Sequence, residues 1–155
     1  MRLATASLAA ALALATALPA SAQTPKPEDE IRYRQSVLNV VGRAMGPMGA
    51  MAQGKAPFNT AVVQKNAALI ETMLALPWGS FGAGTDKGAP TKADIKIWTE
   101  TAKFKQASEA SQKASTALVA AAKGGNEGAF KTAFGELGKT CKACHDDFRL
   151  KEFRN

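Results

Sequence analysis

The sequence predicts an all-α protein. Four stretches carry apolar residues at helical spacing, and no run shows the alternation of β-branched and polar residues that a strand needs. A 46% apolar, 21% charged composition over 155 residues fits one folded domain. The formal charge of +7 admits nucleic acid, an anionic membrane or an acidic partner without implying any of them.

The N-terminus reads as an export signal. Arg2 supplies the positive start, Leu8 to Leu18 is an unbroken run of Leu, Ala and one Thr, and Ala20-Ser21-Ala22 has the small-x-small form of a cleavage site. That run, as a helix, reaches only about 16 Å, roughly half of a bilayer's hydrocarbon core, so it is too short for an anchor. Residues 1–22 are therefore expected to be a cleaved signal peptide, and residues 23–155 the exported domain. No membrane or nucleic-acid partner is expected.

The first helix is expected from about Glu28, after Pro25 and Pro27, to about Ala52. Ile31, Leu38, Val41, Met45 and Met48 form its inner stripe, while Val37, Val40 and Ala44 lie off it and widen the apolar surface. The second helix starts after Asn59 as N-cap, carries Val62, Val63, Leu69, Ile70, Met73 and Leu74, and stops before Pro77. From Pro77 to Pro90, Gly79, Gly82, Gly84 and Gly88 mark a long crossover loop that also holds Trp78 and Phe81. The third helix is expected over about Trp98 to Lys123, with an extra turn from Lys92 to Ile95 before it. Gly124-Gly125 ends it, and Asn126 caps a fourth helix running to about Phe153.

The chemistry is concentrated near the C-terminus. Cys141-Lys142-Ala143-Cys144-His145 is a C-x-x-C-H motif, the pattern of covalent c-type haem attachment. On a helix turning about 100° per residue, Cys144 and His145 fall at about −60° and +40° from Cys141, so two thioethers and an imidazole share one face. Phe130, Phe134, Leu137 and Phe148 fall within about 40° of the same direction and flank it with apolar surface. A thioredoxin-like site would need a βαβ setting. A zinc site would need a fourth ligand where the chain has one His and no third Cys. A disulfide between i and i+3 is poorly disposed inside a helix. Paired catalytic carboxylates, a nucleophile–base pair and a Gly-rich phosphate loop do not stand out, so no enzyme activity is predicted.

Only ten residues follow His145, and Met45, Met48, Met51 and Met73 all precede the motif. With this long helix ending in C-x-x-C-H, the chain resembles the cytochrome c′ family, the class II c-type cytochromes. The likeness also runs through Lys26-Pro27-Glu28-Asp29, Arg32-Tyr33-Arg34-Gln35, Leu76-Pro77-Trp78 with Phe81-Gly82, Phe104-Lys105, and Ala133-Phe134-Gly135. The resemblance implies an antiparallel four-helix bundle with one covalent haem c near the C-terminal end of the fourth helix, a periplasmic location and a homodimer. It implies His145 as the iron ligand and Arg149 as the basic residue beside it, Arg34 and Gln35 as partners of a haem propionate, and Trp78 as a loop aromatic along the haem. Another polar contact is expected between Thr85 and Thr91. If Arg34 meets a propionate, Leu38 one turn on projects towards the haem, leaving an open iron on an apolar distal side that selects nitric oxide and carbon monoxide. Phe134 is expected on the haem face, the dimer is expected through the first two helices, and the redox partner is unidentified. The competing expectation is a dedicated electron carrier with Met45 filling the sixth position.

Overall fold

A computed structural model describes residues 25–153; the expected signal peptide and its cleavage site lie outside them. Helix α1 spans Pro27–Ala52, α2 Thr60–Leu74, the short α3 Lys96–Thr99, α4 Thr101–Lys123 and α5 Glu127–Phe148, with 3₁₀ turns at Pro77–Phe81 and Lys151–Phe153. Among the described residues the β-structure is one isolated antiparallel bridge, Ala93 with Arg149.

The helix ends follow from local chemistry. Pro27 opens α1, and Glu28, Asp29 and Glu30 lie in its first turn, where negative charge meets the positive end of the helix dipole. The Asn59 side chain accepts a hydrogen bond from the Val62 N–H at 3.0 Å and starts α2. Asn126 does the same for α5, accepting from the Ala129 N–H at 2.8 Å. Between α4 and α5, Gly125 adopts φ +65°, a left-handed turn that a side chain would strain.

The four long helices pack around one core, α1 on α2, α2 on α4, α4 on α5, with α1 also touching α5. Val41, Met48, Val63, Ile70, Leu74, Leu118, Phe130 and Leu137 meet in its centre. The inner face of α4 is built from Ser108, Ser111 and Ser115, all buried. Each hydroxyl donates to the carbonyl three residues back, at 2.7, 2.8 and 2.7 Å. The hydroxyls are thus satisfied within their own helix.

Four expectations need correction. The fourth helix stops at Phe148, not near Phe153: Arg149 turns extended (φ −104°, ψ 145°) and the chain pairs with the crossover loop instead. There the Leu150 N–H donates to the Lys92 carbonyl at 3.0 Å and the Asp94 N–H to the Phe148 carbonyl at 2.9 Å. That pairing also replaces the expected turn from Lys92 to Ile95. The third helix is two pieces, because Glu100 (φ −114°, ψ 47°) breaks it after Thr99. Lastly, Val37 and Ala44 do not widen an outer apolar face; both are buried inside the bundle, while Leu38 stands outside the core at 37% exposure.

Candidate functional site

Helix α5 carries Cys141, Cys144, His145 and Phe148 onto one wall of a cavity of about 820 Å³. The facing walls come from Arg34, Gln35, Leu38, Asn39, Val41 and Met45 of α1, Leu74 of α2, Trp78 and Phe81 of the crossover, and Phe104 of α4. The crossover is held by rings in contact. Phe81 lies 4.9 Å from Phe104, Phe104 5.3 Å from Phe148, and Trp78 5.9 Å from Phe104. The Trp78 indole N–H donates to the Leu74 carbonyl, fixing the ring against the end of α2.

Cys141 and Cys144 are not joined to each other in a disulfide. Burial, then the neighbouring Cys141 and Asp147, push the Cys144 thiol up to about 11, and burial raises Cys141 as well. Burial and then the Arg149 charge hold His145 below the ordinary imidazole value, against the opposing pull of Asp146. The effect favours the neutral imidazole, the form that ligates a metal.

Of the residues expected at the site, Arg34, Gln35, Leu38, Trp78 and Arg149 do gather around Cys141, Cys144 and His145. Phe134 does not. Its ring lies 5.7 Å from Phe130 and faces Gly49 of α1, where an added Cβ would stand 3.7 Å from it. It has the right angle on the wheel but sits seven residues back, about 10 Å along the axis, beyond the cavity's end.

Arg34 departs from expectation in its partners. It is 2% exposed, and its Nη1 donates to the Ser80 carbonyl at 2.9 Å and Thr85 Oγ1 at 3.1 Å. Its Nη2 donates to the Thr85 carbonyl at 2.8 Å and Thr91 Oγ1 at 3.4 Å. The guanidinium also stacks 4.5 Å above Phe81 and 5.5 Å from Trp98. It is the hub around which the crossover loop folds: of the stretch expected to hold a further polar contact, Thr85 is turned to Arg34, while Thr91 bonds Arg34 and also lines the cavity. Gln35 likewise donates to the Pro90 carbonyl at 2.9 Å.

Sequence reasoning missed Asn39 and Lys92. Asn39 follows Gln35 by one turn on the same face, a signal that was available, and it puts an amide on a wall expected to be wholly apolar. Lys92 lies one residue beyond the stretch from Thr85 to Thr91 in which a polar contact is expected.

The residues fit a haem. The walls are mainly apolar and aromatic, as a porphyrin face requires, and two thiols and an imidazole lie together on one of them. Among the described residues no Asp or Glu lines the cavity, whereas Arg34, Lys92 and Arg149 do, matching a group that bears carboxylates. The cytochrome c′ family model matches residues 29–149. The chain belongs to the cytochrome c′ family. A cytochrome c′ from Rubrivivax gelatinosus is 45% identical over 129 residues, 83% of this chain and 100% of that protein. One from Alcaligenes xylosoxydans is 41% identical over 130 residues, 84% of this chain and 100% of the relative. The crystal structure of the Rubrivivax gelatinosus cytochrome c′ matches with a TM-score of 0.80 at 44% identity, covering 83% of this chain and 100% of that one. A nitric oxide complex of a leucine-to-alanine variant of Alcaligenes xylosoxidans cytochrome c prime matches at 0.76 and 39% identity, over 83% and 99% of the two chains. As a member of this family the chain is an all-α four-helix bundle that carries haem c covalently through Cys141 and Cys144.

Proposed function

We propose that the chain is a periplasmic haem protein whose iron, ligated by His145, keeps its sixth position open, binds nitric oxide and carbon monoxide, and exchanges single electrons. It acts as a binder and carrier rather than as an enzyme. The bound haem supplies the iron that takes the gas and changes oxidation state.

The observation that carries this reading is the contrast between two side chains on the α1 wall. Leu38 lines the cavity outside the packed core and has no atom that can ligate iron. Met45 also lines the cavity, but it packs against the core cluster, so its thioether already has apolar neighbours. The nitric oxide complex of the Alcaligenes xylosoxidans protein supports gas binding by the same fold.

A homodimer through the first two helices, α1 and α2, is proposed as well. Tyr33 and Val40, seven residues apart on one helical face, are 44% and 38% exposed and supply apolar surface for a second copy. Export rests on the N-terminal signal pattern, and no helix among the described residues is long and apolar enough to cross a membrane.

Absorption and electron spin resonance spectra of the purified, haem-loaded protein test the open iron. The expected result is a high-spin ferric centre and a new spectrum on adding nitric oxide to the reduced form. A low-spin centre with a Met-to-iron charge-transfer band that disappears in Met45→Leu would replace this reading with a dedicated six-coordinate electron carrier.

A further inference from the structure

We infer that Lys92 is the cationic partner of a haem carboxylate in this protein. The inference rests on the covalent haem. Haem brings two carboxylates, and among the described residues the cavity offers the cations Arg34, Lys92 and Arg149 and no acid.

The three cations are not equivalent. Both terminal nitrogens of Arg34 are committed to Ser80, Thr85 and Thr91, and its Cζ lies 4.5 Å over the Phe81 ring. Moving it to meet a carboxylate would leave buried loop acceptors without donors. Arg149 is placed beside His145, whose imidazole feels its charge, and its backbone is held in the bridge to Ala93. Lys92 differs from both. Its backbone is fixed, since its carbonyl accepts from the Leu150 N–H at 3.0 Å, while its side chain is exposed and makes no ion pair among the described residues. The ammonium rests 4.7 Å from the centroid of Phe153, another cavity-lining residue. A contact of this kind at an exposed site is weak, so a carboxylate competes for the ammonium readily.

Removing a positive charge near the haem favours the oxidised, more positive iron, so the substitution has a direction. The test uses the haem-loaded protein at one pH and ionic strength, with Lys92→Gln, Lys92→Arg and Lys87→Gln compared. Lys87 is exposed on the same loop and does not line the cavity. Two quantities are read: the propionate bending mode in the resonance Raman spectrum and the midpoint potential.

Lys92→Gln is expected to shift the propionate mode and to raise the oxidised-to-reduced ratio at fixed ambient potential several-fold; a tenfold change corresponds to about 59 mV for one electron. Lys92→Arg is expected to keep both values, and Lys87→Gln to move neither. An unshifted mode in Lys92→Gln would overturn the assignment, as would an equal shift in Lys87→Gln, which would indicate a general surface-charge effect. Failure of the underlying reading has its own signature, because in an unmodified chain without covalent haem the haem would be removed by acid-organic extraction and the polypeptide mass would lack the haem increment.

Discussion

Arg34 and Thr85, 51 residues apart, are joined twice: Nη1 donates to the threonine Oγ1 at 3.1 Å and Nη2 to its carbonyl at 2.8 Å. The same hydroxyl donates to the Gly82 carbonyl at 2.8 Å, so one arginine and one threonine close the polar side of a Gly-rich loop whose other side is held by the Trp78 and Phe81 ring contacts. Arg34→Met keeps the stem's volume and removes the donors, leaving the Ser80 and Thr85 carbonyls without their buried partner. Stability should fall by at least about 2 kcal/mol in guanidinium titrations of the haem-loaded protein. Limited proteolysis should also cut between residues 79 and 91 sooner. An unchanged midpoint and cleavage pattern would show that the loop does not depend on Arg34.

Phe130 tests the separation of the bundle core from the haem wall. It is fully buried, 5.7 Å from both Phe58 and Phe134, and lies off the cavity. Phe130→Ala should cost about 3–5 kcal/mol in denaturant melts. Its haem absorption spectrum should match the unmodified protein's. A changed spectrum would mean that the far core and the cavity are mechanically coupled.

Leu38 should limit how fast a gas reaches the iron. Leu38→Ala opens the α1 wall and should speed carbon monoxide binding by about tenfold, equal to about 1.4 kcal/mol off the barrier. Met45→Leu should leave the rate within about a factor of two. Flash photolysis measures both, and a larger effect from Met45→Leu would contradict the proposed role of Leu38.

The proposed dimer makes a prediction that the buried residues cannot. Val37 and Ala44 belong to the monomer's interior, so the outer face of α1 rests on Tyr33 and Val40. Val40→Glu should convert a sedimenting dimer to monomer at micromolar concentration while the helical circular dichroism is kept. Monomer alone in the unmodified protein would remove the proposal.

The sequence by itself determined the plan of four long helices, most of their boundaries and the attachment chemistry. Each depends on local information: Asn59 and Asn126 cap the turn that follows them, Gly125 reverses the chain where it stands, and Cys141, Cys144 and His145 meet because a helix brings i, i+3 and i+4 to one face. Only the tertiary structure decided where that face ends and what the polar side chains do. Phe134 shares the motif's angle, yet depth along the axis against Gly49 places it outside the cavity. The C-terminus of α5 yields to the bridge between Arg149 and Ala93, a pairing across the crossover loop that no helical propensity near Phe148 could announce. Arg34 shows the difference most plainly. Its position on α1 follows from spacing, but its partners are set by a loop beginning more than forty residues later that folds back onto it, because a buried guanidinium must be satisfied by whatever carbonyls and hydroxyls the fold brings within reach.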